Sequence, residues 1–484
     1  MFAERAQTEF RPAVRLCIGG VWRDGGGSIP VIDPATEAPC GAVTLADAAD
    51  IESALAAAAA AREAWAAMPP DQRGALLLES AELLRARLPE VARALTWEQG
   101  KTLAESRGEL GRAVETLIWN GEEAGRIGGR TLPGKQPNAA RSLVPAPVGI
   151  VAAFTAWNFP AVLVTRKLGA ALAAGCPVIL KAAEEAPYTA AAIVNCLVEA
   201  GLPPGTVNLL FGDPPRVAER LLAAPEVRKV TFTGSTSVGK SLARMAADNL
   251  TRCTFELGGH APVVLCTDGD LEAAVTATLA YKFASAGQSC IAPSRFYIHR
   301  SRYDEFLDKF ATAAAALPLG NGFEEGVRMG PLANARRIAA MERFTADALE
   351  KGAHLVCGGR RLDRPGYFWP PTVLAGVSDD AAVMREEPFG PIAPMAPFDD
   401  FDEAMDRANS TGYGFAAYLF TSSLATAARF VRQAQAGNIG INQMSPSLPD
   451  APVGGVGDSG YGYEGGREGI EAFLHMKLVS QAVL

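Results

Sequence analysis

The chain has 484 residues, of which 49% are hydrophobic and 20% are charged, and it carries a formal net charge of −8 at pH 7. This length exceeds what one hydrophobic core usually supports, so we expect at least two domains, and the ordinary composition excludes a disordered protein. The negative charge argues against nucleic-acid binding and favours a small-molecule substrate.

The cysteines and the first residues bear on metal binding and location. The eight cysteines include no CxxC pair and have no histidines at metal-ligand spacing, so we expect reduced thiols and no metal. The segment Met1–Gly20 carries charges and lacks the apolar core of a signal peptide, which predicts a cytoplasmic location. The uncharged run Ser142–Thr165 could span a membrane in length, but Pro145 and Pro160 would break the helix. We therefore expect a buried strand and loop there, and no membrane contact.

Helical and strand-like patterns follow one another along the chain. Residues 47–68 and 71–99 are rich in Ala, Leu, Glu and Arg and predict two amphipathic helices. Short apolar runs then alternate with helical stretches and predict strands over 150–154, 178–181, 207–211, 230–233 and 253–256. This alternation is typical of a parallel sheet with crossover helices, whose ligands bind at the carboxyl ends of the strands. The first α/β unit is therefore the candidate for binding a cofactor.

A second α/β series predicts a separate domain that carries Cys290. It comprises a strand over 262–266, a helix over 271–284 and a strand over 295–298, and it continues to about residue 442. Two further segments are candidates for subunit contacts, because one is rich in Gly and Pro and the other is apolar and strand-like at the chain end. These segments are Gly128–Pro147 and Met476–Leu484.

Two glycine motifs need separate interpretations. Gly234–Ser241 fits the P-loop pattern GxxxxGK[ST] at every position, and with Val263–Asp268 as an acid-ending strand it leaves a nucleotide triphosphatase open as an alternative. A Gly-rich turn that opens a helix also binds the pyrophosphate of a dinucleotide. The second motif, Gly460–Gly465, has GxGxxG spacing but too few residues after it for a βαβ unit, so it predicts a turn.

Cys290 and Glu256 together indicate covalent catalysis through sulfur. Cys290 ends the run Ala286–Cys290, and Glu256 opens the run Glu256–Gly259. A thiolate is a strong nucleophile, and a nearby carboxylate can take up a proton or activate the water that hydrolyses an acyl–sulfur intermediate.

Six sequence blocks, in this order, resemble those of the aldehyde dehydrogenase superfamily, and the resemblance extends from about Ile18 to the end of the chain. The blocks are Trp157–Pro160, Lys181–Glu184, Phe232–Thr236 with Gly239, Glu256–Gly259, Gly287–Cys290 and Glu386–Pro391. The chain is most similar in character to the succinate semialdehyde dehydrogenase-like branch of that superfamily.

The resemblance implies an α/β fold in three parts. A Rossmann-like parallel-sheet domain that binds the cofactor NAD would comprise residues 1–127 and 148–257, and a second α/β domain, the catalytic domain, would comprise 258–450. A small oligomerisation element would comprise 128–147 and 451–484. The implied assembly is a homodimer or homotetramer.

The resemblance also implies roles for individual residues. Cys290 would attack the aldehyde carbon, the Asn158 amide and the Cys290 N–H would hold the oxyanion, and Glu256 would activate water to hydrolyse the thioester. Lys167 and Glu464 occupy the positions of a proton-relay pair near this base, with a plain ion pair as the alternative. The residues matched to the cofactor are Trp157, Lys181, Glu184, Gly234, Ser235, Gly239, Leu257, Glu387 and Phe389.

Two charged residues, Glu184 and Arg166, bear on which cofactor and which substrate we expect. Glu184 should repel the 2′-phosphate of NADP, which favours NAD and leaves NADP possible. Arg166 could pair with the far carboxylate of a short ω-semialdehyde such as succinate semialdehyde, and Phe159 is matched to the substrate site.

Departures from the family pattern leave the aldehyde open. Ala284 stands where succinate semialdehyde enzymes have a second arginine. 2-Oxoglutarate semialdehyde and neutral aliphatic or aromatic aldehydes therefore stay open as substrates. His260, Val453 and Gly457 also depart from the pattern, without removing a catalytic group.

Overall fold

The computed structural model describes residues 13–135, 138–444 and 447–482. The parts of the predictions that concern residues 1–12 and 483–484 lie outside these ranges. In the described chain no helix has the length and apolar character needed to cross a membrane.

The helices and strands alternate through most of the chain. The strands, numbered in chain order, are β1 (Ala13–Val14), β2 (Leu16–Ile18), β3 (Val21–Arg23), β4 (Gly27–Ile32), β5 (Pro39–Leu45), β6 (Arg130–Leu132), β7 (Ala139–Pro147), β8 (Ile150–Phe154), β9 (Val178–Lys181), β10 (Val207–Leu210), β11 (Val227–Thr233), β12 (Arg252–Glu256), β13 (Ala261–Leu265), β14 (Pro293–His299), β15 (His354–Cys357), β16 (Thr372–Ala375), β17 (Ile392–Phe398), β18 (Tyr413–Gly414), β19 (Ala416–Phe420), β20 (Asn438–Ile441), β21 (Val456–Gly457), β22 (Gly460–Tyr461) and β23 (Leu474–Ala482). The α-helices are Ala48–Ala67, Pro70–Ala86, Leu88–Gln99, Leu103–Ala124, Pro160–Ala174, Pro187–Glu199, Pro214–Ala223, Thr236–Asp248, Leu271–Phe283, Arg300–Ala315, Ala335–Glu350, Ala382–Arg385, Phe401–Ala408, Leu424–Gln433 and Gly466–Glu471, and Ala284–Gly287 is a short 3₁₀ helix.

The first large sheet has eight strands in the order β22-β12-β11-β8-β9-β10-β2-β3. Its five central strands, β12 to β10, run parallel, which confirms the sheet predicted from the alternating pattern. From β8 the chain adds β9 and β10 on one side, and it then crosses back to add β11 and β12 on the other side of β8. The strand order therefore reverses between β8 and β11. Such a switch point opens a crevice at the carboxyl ends of the strands, where α/β sheets bind their ligands.

The second large sheet has seven strands in the order β15-β16-β17-β14-β13-β19-β20, and all pairs except β15–β16 are parallel. The predicted α/β series after residue 262 is therefore confirmed. Each large sheet packs within its own hydrophobic core, since the buried apolar residues form two separate clusters. The α/β fold class expected from the sequence is thus confirmed.

A third sheet joins the two segments that the sequence singled out as candidate contacts. β23 pairs antiparallel with β7 along its whole length, and β7 pairs with β6, so a strand near the chain end lies beside the Gly/Pro-rich excursion. Met476, Leu478 and Val479 on β23 are exposed.

Three local predictions need correction. The helix expected over 71–99 is divided at Arg87 into two helices, and Pro89 lies in the first turn of the second. The loop expected before Thr165 is wrong, because Pro160 begins a buried helix that continues to Ala174. Proline is accommodated at the first helical position, where its missing N–H costs no hydrogen bond.

The buried strand expected in the uncharged run Ser142–Thr165 is found only in part. β8 is buried as predicted, but β7 is only half-buried. The Leu103–Ala124 helix was not predicted, although Thr102 and Glu105 form the capping box that marks its start.

Candidate active site

Cys290 lies just after the 3₁₀ turn that connects the Leu271–Phe283 helix to β14. Within this turn Ser285 and Ala286 adopt left-handed backbone conformations, with φ values of 49° and 53°. A Cβ atom on Gly287 would come within 2.4 Å of the Gly390 carbonyl oxygen, so only glycine fits there. Left-handed conformations in non-glycine residues persist where the surrounding structure fixes them, often at functional sites. The turn therefore holds the thiol in one place.

The Cys290 thiol lies in a field that disfavours its ionisation. Burial is the main cause that raises its pKa, and the carboxylates Glu256 and Glu387 raise it further. The positive charge of Arg166 acts in the opposite direction. A thiol held in its protonated form needs a nearby proton acceptor before it can act as a nucleophile.

Asn158 follows β8 and brings an amide to the same region as Cys290. The side chain is 5% exposed, and its Nδ2 donates to the Gln288 carbonyl oxygen at 3.1 Å. An amide nitrogen carries two protons, so a second donor remains for another acceptor. Gln288 is itself fixed, because its own amide bonds Ser285 O at 2.9 Å and the Ala333 N–H at 3.0 Å. This arrangement can stabilise an oxyanion formed beside Cys290.

A buried ion pair that sequence reasoning missed holds the main chain at Asn158. Lys101 and Glu109 have side chains only 1% and 0% exposed and are bonded to each other. Lys101 Nζ also donates to the Asn158 carbonyl oxygen at 2.8 Å, and it lies 4.2 Å from the centre of the Phe159 ring. Glu109 accepts the Ala161 N–H at 2.8 Å, at the first turn of the Pro160–Ala174 helix. The available sequence signal was Glu109, a carboxylate on the same face of the Leu103–Ala124 helix as the apolar residues Leu110 and Ala113.

Glu256 ends β12 and has a strongly perturbed carboxyl group. The residue is 3% exposed. Burial and then the neighbouring charge of Glu464 raise its pKa, while Arg166 and Lys167 oppose the increase. A carboxyl group with a raised pKa can accept a proton near neutral pH and release it again, as a general base must.

Glu464 differs from Glu256 because it has a cation of its own. It is ion-paired with Lys167 in the Pro160–Ala174 helix, and the Thr231 hydroxyl donates to the same carboxylate oxygen at 3.0 Å. Burial alone would raise the pKa of Glu464, but the charge and hydrogen bond of Lys167, together with Arg166, lower it. The two carboxyl groups are thus driven apart in pKa, and this separation assigns different roles to neighbouring acids.

The residues matched to the adenosine end of a dinucleotide follow β9 and β11. Lys181 Nζ contacts Glu184 Oε2 at 2.7 Å, and the Gly212 N–H donates to the other Glu184 oxygen at 2.8 Å. Ser235 caps the Thr236–Asp248 helix, whose N-terminal N–H groups favour an anion such as pyrophosphate. A Cβ atom on Gly239 would approach Leu257 to 2.5 Å, so this helix packs directly on the residue after β12.

Glu387 and Phe389, matched to the nicotinamide end, precede β17 of the second large sheet, whereas Trp157, matched to the pyrophosphate, follows β8 of the first. The rings of Trp157 and Phe389 meet edge to face, with centres 5.5 Å apart. Glu387 accepts the Gly259 N–H at 2.8 Å. Burial raises the pKa of Glu387 to about 7, against the opposing influence of that N–H, Arg337 and Lys282. The residues present therefore fit a dinucleotide, with the Glu184 and Glu387 carboxylates for its riboses and the helix N-terminus at Ser235 for its pyrophosphate.

The geometry does not assemble the rival triphosphatase site. Lys240 of the P-loop-like motif is paired with Asp458 at 2.6 Å. The proposed acid, Asp268, follows a strand of the other large sheet and is bonded to Thr421 at 2.9 Å. The second glycine motif lacks a βαβ unit, and in place of a simple turn its first two residues form β22, at the edge of the first sheet.

Arg166 brings a buried cation close to the reaction centre. The residue is 6% exposed, and its guanidinium donates to the Ser447 hydroxyl. Its charge lowers the pKa of Cys290, Glu256 and Glu464 alike, so all three groups lie within its field. Such a cation can hold the anionic end of a substrate whose other end meets Cys290.

The remaining family departures have structural explanations. His260 is buried, its Nδ1 contacts the Ser294 hydroxyl at 2.8 Å, and burial with two nearby cations keeps its pKa well below the usual value. Val453 exchanges backbone hydrogen bonds with Glu464, and Gly457 pairs with Tyr413 in β18. These positions support the site without adding chemistry.

Comparison with known proteins identifies the family. The model of the aldehyde dehydrogenase family matches residues 22–479. A 4-(hydroxymethyl)benzenesulfonate dehydrogenase of Comamonas testosteroni is 47% identical over 466 residues, which cover 96% of this chain and 97% of that protein. An NADP-dependent succinate-semialdehyde dehydrogenase of Escherichia coli is 40% identical over 95% of this chain and 96% of its own length.

A solved structure agrees with these relatives. The crystal structure of succinate-semialdehyde dehydrogenase from Burkholderia pseudomallei has a TM-score of 0.95 and 40% identity, covering 97% of this chain and 98% of that one. The chain belongs to the aldehyde dehydrogenase family, as its motifs indicated, and it is an oxidoreductase that oxidises aldehydes with NAD or NADP.

Proposed function

We propose that this protein oxidises an aldehyde that carries a remote anionic group to the corresponding carboxylic acid. The observation that carries this proposal is the buried guanidinium of Arg166, which lies within the electrostatic field of Cys290 and Glu256 and is oriented by Ser447. The Arg166 Nε is buried without a hydrogen-bond partner among the described residues, and a substrate carboxylate or sulfonate would accept from it.

The chain's own residues supply the steps of the reaction. The Cys290 thiol gives its proton to Glu256 while its sulfur bonds to the aldehyde carbon, and the carbonyl electron pair moves to oxygen. The Asn158 amide and the Cys290 N–H hold the resulting oxyanion. A nicotinamide dinucleotide held by Trp157, Glu387 and Phe389 would supply the hydride acceptor, which turns the thiohemiacetal into a thioester.

Glu256 then acts on the second half-reaction. After the proton received from Cys290 has left its carboxyl group, Glu256 takes a proton from water, the oxygen attacks the thioester carbon, and the carbon–sulfur bond breaks to release the acid and the Cys290 thiolate. Lys167, Glu464 and Thr231 are bonded to one another, and Glu464 acts on the pKa of Glu256, so this group can take up the proton that leaves Glu256. General bases of this kind contribute about 10²-fold to 10⁴-fold.

The short ω-semialdehydes, such as succinate semialdehyde, are the first substrate class to test. Relatives of this chain include succinate-semialdehyde and glutarate-semialdehyde dehydrogenases, and also enzymes named for a benzenesulfonate and for 3-sulfolactaldehyde. Each compound in these names carries a carboxylate or sulfonate remote from its aldehyde or, in the benzenesulfonate, from its hydroxymethyl group. 2-Oxoglutarate semialdehyde belongs to the same class, whereas neutral aliphatic or aromatic aldehydes would not use Arg166.

NAD is the proposed cofactor. Glu184 presents a carboxylate where the adenosine ribose would lie, and it accepts the Gly212 N–H and the Lys181 cation. Ribose hydroxyls can donate to such a carboxylate, whereas a 2′-phosphate would be repelled unless Lys181 changed partners.

We propose a division of the chain into three parts. Residues 1–127 and 148–257 would bind the cofactor, 258–450 would carry Cys290, and 128–147 with 451–484 would form the oligomerisation element. The exposed apolar side chains of β23 favour a homodimer or homotetramer, because burial of such a patch stabilises association.

The test compares anionic and neutral aldehydes of matched size in the wild type and in Arg166→Ala, with NAD or NADP, by absorbance of the reduced cofactor. We expect the ratio of kcat/KM for anionic over neutral aldehydes to fall about tenfold to 100-fold in the variant. The ratio is the proper measure, since Arg166 also acts on Cys290 and its loss slows every substrate. An unchanged ratio would refute the proposed substrate class.

A further inference from the structure

A cleft of about 710 Å³ opens at the surface beside residues that lie close to Asn158 and Cys290 in the sequence. Phe159, the neighbour of Asn158, lines it, as do Ala284 and Ser285, which open the turn leading to Cys290. Much of its wall is apolar, from Leu279, Phe283 and their neighbours on the Leu271–Phe283 helix. Its volume suits a ligand of the size of a substituted benzene ring.

Arg112 brings a cation to this cleft from a different element, the Leu103–Ala124 helix. The side chain is exposed, and its charge reaches the Leu271–Phe283 helix, because it opposes the burial that raises the pKa of Tyr281. Across residues 13–135, 138–444 and 447–482, no carboxylate lies within ion-pair distance of Arg112. An unpaired arginine on an apolar cleft has its full set of donors available for a ligand.

The nearby acidic residue, Glu105, forms no ion pair with Arg112 within the described ranges. Glu105 also lines the cleft, but one of its oxygens accepts the Ser285 N–H at 2.7 Å, and the other accepts the Thr102 N–H at 2.8 Å in the capping box. Position 284 contributes only a methyl group. Arg112 and Arg328 are therefore the cations of the cleft that lack an ion-pair partner within the described ranges, and the charge of Arg112 acts on Tyr281 of the helix leading to Ala284.

We propose that Arg112 determines substrate length by binding the remote anion of an aromatic or long-chain ω-oxo carboxylate or sulfonate in this cleft. This inference rests on the proposed function, because it assumes that anionic aldehydes are substrates. On this proposal a short semialdehyde binds Arg166 alone, whereas a substituted benzaldehyde with an anion opposite the aldehyde lies along the apolar wall and meets Arg112.

The experiment measures kcat and KM for succinate semialdehyde, 4-formylbenzenesulfonate, 4-formylbenzoate and benzaldehyde in the wild type, Arg112→Ala, Arg328→Ala and Arg107→Ala. Arg107 is the matched control, since it is exposed on the same helix outside the cleft. We expect Arg112→Ala to raise KM for the two aromatic anions about tenfold, with kcat and the constants for succinate semialdehyde and benzaldehyde unchanged. The KM difference should shrink at high ionic strength, because the cation is exposed.

The outcomes separate this inference from the proposed function. A KM that stays within twofold for both aromatic anions in Arg112→Ala, or an effect found in Arg328→Ala or Arg107→Ala in its place, overturns the role of Arg112. If the wild type shows no preference for any anionic aldehyde over benzaldehyde, the proposed function itself fails.

Discussion

Replacement of Asn158 by alanine should slow the chemical step while leaving the fold intact. The side chain is 5% exposed, and one amide proton is used by Gln288 O at 3.1 Å, so the second is the donor available to an oxyanion at Cys290. Loss of one such donor costs about 2.7–4 kcal/mol, or about 10²-fold to 10³-fold in kcat. Because the Lys101 contact is made to the Asn158 main chain, the variant keeps the bond that fixes this segment.

The assay is a single-turnover experiment that follows formation of the reduced cofactor after rapid mixing with aldehyde. Asn120→Ala is the control, since Asn120 is a buried asparagine whose amide bonds Thr116 O on its own helix. We expect the burst rate to fall about 10²-fold or more in Asn158→Ala and less than threefold in the control. A burst rate within tenfold of the wild type in Asn158→Ala would show that the oxyanion is held by other groups.

Three further predictions concern the nucleophile, the base and the buried ion pair. Cys290→Ser should abolish turnover, measured by absorbance, while NAD affinity measured by calorimetry stays within about twofold; retained turnover would exclude Cys290 as the nucleophile. Because the pKa of Glu256 is raised, its carboxylate form grows as pH increases through that pKa, so steady-state kcat should rise with pH. Glu256→Gln should remove this rise and leave an acyl-enzyme visible by mass spectrometry, whereas a pH profile unchanged by the substitution would assign the base elsewhere. Lys101→Met should lower the free energy of unfolding by about 3–5 kcal/mol because it strands the Glu109 carboxylate, and adding Glu109→Leu should restore much of it. Denaturant titration checks this, and equal losses in the single and double variants would contradict it.

The sequence predicted those strands and site residues that a few adjacent positions are enough to identify. β8, β9 and β13 are fully buried, so their apolar runs identify them without any knowledge of neighbours. Cys290, Glu256 and Asn158 belong to short motifs, and a motif can be read from a few adjacent positions.

Contacts between distant positions could not be predicted in this way. Lys101 meets the Asn158 main chain across 57 positions of sequence, and nothing in the composition of either segment indicates the other. Arg112 was missed for the same reason, because an exposed arginine on a helix has no special pattern until a facing cleft is known. Pro160 was misread because proline both ends helices and begins them.

The placement of β22 and of the residues after it affects how the protein is made. Gly460–Tyr461 forms the edge of the first sheet beside β12, and Ile470 and Phe473 belong to the core that covers that sheet. During synthesis the N-terminal half therefore leaves the ribosome with an uncovered sheet edge and an incomplete core, and it waits for more than 200 further residues to complete the same layer. Chains interrupted before this point expose apolar surface, so chaperones and proteases can distinguish them from finished ones.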